Sequence, residues 1–237
     1  MTARRLQTLV VEDSLTVRRR VCDALATDPG LEVVGEADNG QRAIELCQSL
    51  RPDVMTLDMC LPIMSGLSAT EYIMAHCPTP ILIVSASFNR GELFKTYDAL
   101  AAGALDVLEK PRGDDTDAAW EQRLAATLRL ISRIKVIMHP RGRLAHLGNG
   151  AQPARFPGPP IPGAGDRCEL VAIGASTGGP GAVVDILRGL SARFPLPLLV
   201  VIHISRGFGM GFAEWLNGIS PLPVAFARDD EPLPGPG

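Results

Sequence analysis

What the chain lacks narrows its function first. No apolar run approaches the roughly 20 residues that cross a bilayer, so membrane insertion is not expected. Positive charge is not in excess: 23 Lys and Arg stand against 26 Asp and Glu, for a formal charge of −3. A nucleic-acid interface needs a concentrated basic face that displaces counterions, and none is expected here. The five cysteines, Cys22, Cys47, Cys60, Cys77 and Cys168, form no CxxC pair. They indicate neither a zinc site nor a disulfide framework, and each is expected to serve as a small apolar side chain. A secretory leader is not expected either. The apolar stretch after Arg4 and Arg5 is short and runs straight into Glu12 and Asp13, as a strand would. A cytoplasmic location is the expectation.

What is present is an ordinary globular composition, 46% hydrophobic and 21% charged over 237 residues, enough for one large domain or two modest ones. Over residues 7–111, short apolar runs alternate with amphipathic ones, the rhythm of a parallel α/β sheet. The strands are expected at Thr8–Val11, Leu31–Ala37, Val54–Leu57, Pro80–Ser85 and Asp106–Leu108. Runs such as Ile81-Leu82-Ile83-Val84 suit a sheet buried on both faces. A last helix is expected over Asp117–Ile137, which makes residues 1–137 one doubly wound domain. Residues 138–167 are dense in Gly and Pro and read as a flexible linker. Over 168–237 the α/β rhythm resumes, with strands at Glu169–Ile173 and Leu196–Ile204. Helices are expected up to Leu190 and around Phe212–Leu216. This second domain reads as an incomplete parallel sheet with an unpaired edge, less stable than the first.

Ligand sites in open parallel sheets lie at the carboxyl ends of the strands. Glu12 and Asp13 follow the first strand and Asp58 the third, Ser85 ends the fourth, and Lys110 with Pro111 follows the fifth. Three carboxylates this close repel one another unless a cation is present. A hard divalent ion with oxygen ligands, Mg²⁺ above all, fits that need and would also offset the charge of an incoming phosphoryl group. Lys110 offers a point charge to phosphoryl oxygens, and Ser85 a hydrogen bond. Singly, each residue is an ordinary turn or capping group. Together, across four strand ends, they specify a phosphoryl-accepting edge.

The second constellation is Gly174-Ala175-Ser176-Thr177-Gly178-Gly179-Pro180, a strand turning tightly into a helix. Ser176 falls where a hydroxyl stands at a helix N-terminus, whose free N–H groups can stabilise an oxyanion. Gly174, Gly178 and Gly179 allow the turn and close approach of a substrate. The same turn could cradle a phosphate. A dinucleotide fingerprint, however, needs GxGxxG with an acid about 20 residues on, and here the next strand delivers His203. His203 is the candidate general base for Ser176, which is unreactive without one. His76, His139 and His146 have no nucleophile partner and are expected to be structural or merely solvated.

On the Glu12-Asp13 pair, TLDMCLPIMSG, VSAS and GALDVLEKP, residues 7–111 resemble the bacterial response-regulator receiver domain. The resemblance implies that Asp58 is the phospho-acceptor. It implies that Asp13 and Asp58 ligate Mg²⁺, with the Cys60 main-chain carbonyl as a third ligand and Glu12 acting through water. Many receivers carry an aromatic residue three positions before the lysine, where Val107 stands here. With VAIGASTGG, VVIHISRGF, FAEWLN and DDEPLPGPG added, the whole chain resembles the chemotaxis response-regulator methylesterases, the CheB family. That implies Ser176 as nucleophile, His203 as base and Thr177 near the oxyanion site, with no cofactor for the ester chemistry. It also implies a chemotaxis histidine kinase as phosphodonor and methyl-accepting chemoreceptors as substrates. The family's methylesterase domain continues further and supplies a late acid that orients the histidine. Asp229, Asp230 and Glu231 match an earlier segment, so the second domain is expected to be shortened.

Two functions therefore compete. One is a phosphorylation-regulated protein-glutamate methylesterase that also deamidates glutamine. The other is a phospho-receiver signalling module carrying an inactive esterase remnant.

Overall fold

The computed structural model describes residues 4–86, 90–110, 117–136, 168–204, 206–232 and 235. The expected linker 138–167, with His139 and His146, lies outside them, as do Pro111, Ile137 and part of the DDEPLPGPG stretch.

Five strands form the first sheet: β1 Leu6–Val11, β2 Leu31–Ala37, β3 Val54–Leu57, β4 Ile81–Ser85 and β5 Asp106–Glu109. All pair in parallel, in the order β2-β1-β3-β4-β5. β3 and β4 are buried at every residue, because alternate side chains feed opposite faces and both faces are covered. Leu9, Val11, Met55, Leu57, Ile81 and Ile83 face one layer. Val10, Val54, Leu82 and Val84 face the other.

The helices α1 Leu15–Ala26, α2 Gly40–Leu50, α3 Gly66–His76, α4 Arg90–Ala101 and α5 Asp117–Ile131 supply those layers. α1 and α5 cover one face through Val21, Leu25, Trp120, Leu124, Leu128 and Ile131. α2, α3 and α4 cover the other through Ile44, Cys47, Ile73, Met74, Tyr97 and Leu100. Side-chain caps start α1, α2 and α3, where Ser14, Asn39 and Ser65 accept from Val17, Arg42 and Ser68 amides. α5 ends at Ile131, short of the expected Ile137, although Ile134 and Val136 beyond it still pack against the same core. The Trp120 indole ties it to the Glu109 carbonyl at 2.8 Å.

The second sheet has two parallel strands, β6 Val171–Ala175 and β7 Leu198–Ile202, with α6 Gly179–Gly189 and α7 Arg206–Ile219. α7 is much longer than the expected Phe212–Leu216. Its first turns hold three glycines, poor helix formers individually, and packing overrides them. One face of the sheet is open, with Ala172 and Gly174 exposed and Val201 71% exposed.

The second unit is not separate from the first. Val183, Val184, Leu187, Phe208, Phe212, Trp215 and Leu216 belong to the same buried cluster as Tyr97, Ala99 and Leu100 of α4. The sheet of this unit is incomplete, as expected, and α6 and α7 pack their apolar faces into the cluster that also holds α4.

Candidate functional site

The carboxyl edge of the first sheet gathers the expected acids. One carboxylate oxygen each from Glu12, Asp13 and Asp58 lies within 4.8 Å of the others. Glu12 and Asp58 are buried, whereas Asp13 is exposed. The pocket is built by backbone before it is built by charge. The Asp58 amide donates to Val11 O (3.0 Å), locking the end of β3 to the end of β1. Asp58 Oδ1 accepts from the Met59 amide at 2.8 Å, which orients the carboxylate. Its Oδ2 is buried without a directed hydrogen bond, facing Lys110 Nζ as an ion pair at 3.0 Å.

Lys110 also meets Glu12 at 2.8 Å. Burial opposes the lysine's charge, but the Glu12 hydrogen bond and the Asp58 charge outweigh it and raise its pKa. Glu12 is pushed up to about 6, first by burial and then by the Asp58 charge, with Lys110 working the other way. Ser85 is buried at the end of β4, and its carbonyl accepts the Lys110 amide at 3.0 Å. The Cys60 side chain is exposed.

This donor set suits a hard divalent cation. The acids are clustered oxygen ligands, Asp58 Oδ2 has unused acceptor capacity, and Lys110 alone offsets their charge among the described residues.

Gly66, not singled out from sequence, supports this edge. A Cβ there would run into the Asp58 carbonyl and lie 2.8 Å from Met59 Cα, and its amide donates to Met59 O. Glycine lets α3 begin directly against the backbone of Asp58 and Met59.

Val107, at the position where many receivers are aromatic, is a buried core residue of β5 paired with Ile83. His76 donates from Nδ1 to Tyr72 O (2.9 Å) and stacks on the Tyr72 ring.

At the second constellation, β6 delivers Ser176 and β7 delivers His203 to neighbouring positions. The His203 amide donates to Ala175 O at 2.9 Å, so the two strand ends are side by side. Both residues are exposed, and no hydrogen bond joins hydroxyl to imidazole among the described residues. Gly178 is the N-cap of α6, in the left-handed region at φ 75, where glycine is favoured. A Cβ on Gly179 would come 2.7 Å from that of Ala175, whereas Gly174 faces open space and meets no such constraint. Asp229, Asp230 and Glu231 are exposed, and among the described residues none pairs with His203; Glu231 instead accepts from the Arg228 amide.

Two further contacts went unread in the sequence. Leu105 O accepts the Gly178 amide at 2.8 Å, and Asp106 Oδ2 lies 3.5 Å from Thr177 Oγ1. The first sheet thus touches the turn that carries Ser176.

A five-stranded parallel sheet in this order, with this acid-and-lysine edge, defines a protein of the receiver class. Residues 8–118 match the response regulator receiver domain, and residues 171–236 match the CheB methylesterase family. A solved relative is the response regulator domain of Thermotoga maritima CheB, 33% identical. The match covers 56% of this chain and 99% of that one, with a TM-score of 0.50. Protein-glutamate methylesterase/protein-glutamine glutaminase 4 of Myxococcus xanthus is 45% identical over 96% of this chain and 64% of its own length. The corresponding protein 3 of Anaeromyxobacter dehalogenans is 43% identical over 94% of this chain and 63% of its own length. The chain belongs to the CheB family. It spans less than two thirds of the length of these curated relatives.

Proposed function

We propose that this chain is a phosphorylation-regulated protein-glutamate methylesterase and protein-glutamine glutaminase acting on chemoreceptors. Residues 1–137 form the receiver, 138–167 the linker and 168–237 methylesterase sequence. The observation that carries it is the pairing of two strand ends, one bearing Ser176 and the other His203, beside a helix N-terminus. The names of the relatives support the substrate class.

In this reading Asp58 receives a phosphoryl group from a chemotaxis histidine kinase. Asp13, Asp58 and the Cys60 carbonyl hold Mg²⁺, with Glu12 acting through water, and the ion supplies charge neutralisation for the phosphoryl oxygens. Lys110 binds those oxygens, and Ser85 donates its hydroxyl proton to one of them.

In the second unit His203 takes the Ser176 hydroxyl proton as Oγ attacks the γ-carbonyl carbon of a methylated glutamate. Thr177 and the amides that open α6 steady the oxyanion. The protonated His203 returns its proton to the leaving methoxide, and methanol departs. Water then attacks the acyl-serine, with His203 taking its proton and handing it to the departing Ser176 Oγ, and glutamate is released. With glutamine the leaving group is ammonia. No cofactor enters the ester chemistry.

The test is methanol release from radiolabelled methylated chemoreceptor, with and without acetyl phosphate. Parent turnover that Ser176→Ala and His203→Gln both abolish is expected. Turnover indifferent to Ser176→Ala overturns the mechanism. No turnover at all, with Asp58 still phosphorylated, transfers the case to a receiver signalling module with an inactive remnant.

A further inference from the structure

Two of the cysteines expected to be apolar fillers meet in the interior of the first unit. Cys47 lies near the end of α2 and Cys77 is the C-cap of α3, and both are buried in the same cluster. Cys47 Sγ stands 3.8 Å from the Cys77 carbonyl oxygen and 3.3 Å from Thr79 Oγ1. The Thr79 hydroxyl donates to that carbonyl at 2.9 Å, and from there it can turn to a Cys47 thiolate. The two thiols also hydrogen-bond each other. That bond draws the Cys47 pKa down to about 7 against the effect of burial, with Thr79 helping, and raises that of Cys77. Cys47 is thus the readier thiolate, and Cys77 stands beside it as a thiol. This is the arrangement of a nucleophilic and a resolving cysteine.

We propose that Cys47 and Cys77 form a redox site, at which a hydroperoxide such as hydrogen peroxide converts the thiol pair into a disulfide. Cys47 Sγ attacks one peroxide oxygen and the O–O bond breaks. The departing hydroxide takes up the Cys47 proton and leaves as water, so Cys47 becomes a sulfenic acid. Cys77 Sγ then attacks the Cys47 sulfur and the S–O bond breaks. That hydroxide leaves with the Cys77 proton as a second water. The two thiols together lose two electrons, and the peroxide gains them. Oxidant reaches the pair from the end of α3, where His76 is exposed, Pro78 half-buried and Cys77 itself 4% exposed. Helix ends open locally at far less cost than global unfolding. The new bond would staple α2 to α3 at one end. At the other end both helices rest on the loop after Asp58: the Gly40 amide donates to Met64 O and the Gly66 amide to Met59 O, each at 3.2 Å. The site is independent of the esterase reading of Ser176 and His203.

The experiment treats the full chain with hydrogen peroxide, alkylates the remaining thiols, and cleaves at Asp and Glu for mass spectrometry. Cuts after Asp53, Asp58 and Glu71 place Cys47, Cys60 and Cys77 on separate peptides. A linked Cys47–Cys77 pair should appear in monomeric protein and vanish with dithiothreitol. The urea midpoint should rise on oxidation and return on reduction, since the bond constrains the unfolded chain. In Cys77→Ala, dimedone should trap a sulfenic acid at Cys47, and peroxide should no longer raise the midpoint. Intact thiols at Cys47 and Cys77, after peroxide has modified the exposed Cys60 and Cys168, overturn the proposal. So does a link from Cys47 to Cys60 in place of Cys77. If Cys77→Ala folds poorly, the linked peptide from the parent decides alone.

Discussion

The Tyr97 hydroxyl of α4 donates to the Phe208 carbonyl of α7 at 2.6 Å, joining positions 111 residues apart in the chain. Around this bond, the Tyr97 ring stands edge-on to Phe212 at 5.4 Å and tilted to Trp215 at 5.6 Å. The Trp215 indole in turn donates to Asp98 at 3.0 Å. Tyr97 is fully buried, so losing its hydroxyl removes a buried hydrogen bond between the two units. Tyr97→Phe should cost about 1–2 kcal/mol of stability with an unchanged urea m-value. Urea denaturation followed by tryptophan fluorescence and by circular dichroism should give one shared transition for both units. Separate transitions in the parent would refute the shared core.

Glu12 predicts a pH dependence with a definite sign. Burial lifts its pKa from 4.5 to about 6, so between those values the folded chain binds more proton than the unfolded one. Stability from this group therefore falls as pH rises through that window. The full cost, about 2 kcal/mol, is present above the folded pKa and absent below the unfolded one. In EDTA, urea midpoints of the parent should decline from pH 4.5 to 6.5 relative to those of Glu12→Gln. Parallel curves would mean that burial does not govern this carboxyl.

Gly66→Ala should damage the acceptor loop without touching an acid. The added Cβ would meet main-chain atoms of Asp58 and Met59, which cannot swing aside as a side-chain tip would. Overpacking of this kind costs about 1–3 kcal/mol. Labelling of Asp58 by acetyl phosphate should fall well below the parent's, with Asp58→Asn as the unlabelled reference. Normal labelling in Gly66→Ala would show that the loop tolerates displacement.

Much of the first sheet was legible because its strands are buried on both faces, which writes them as unbroken apolar runs between turn residues. Leu31–Ala37 and Val54–Leu57 coincide with the expected strands, and the others differ by one or two residues. The acids were legible for a related reason: each stands where such a run stops. What escaped were relationships between distant segments. Asp106 looks like the ordinary opening of a strand, and Tyr97 like an ordinary helix residue, until the fold brings Thr177 and Phe208 to them. Gly66 gave no sign of its role, since closeness to Asp58 depends on the path of an intervening loop. The early part of α7 was hidden by glycines whose weak helix propensity is overridden by packing on α4.

The shared cluster beneath α4 also limits how this chain can be recombined. A receiver that keeps its apolar residues to itself can be exchanged for another like a cassette. Here Tyr97 and Leu100 lie in the same buried cluster as Phe212 and Leu216, so the seam between the units runs through hydrophobic interior. Transplanting residues 1–137 alone would turn part of that interior into a sticky surface, and a foreign receiver would leave α7 without its aromatic counterpart. Working chimeras would have to carry α4 and α7 together as one heritable block, with the exchange point placed elsewhere than between the two units.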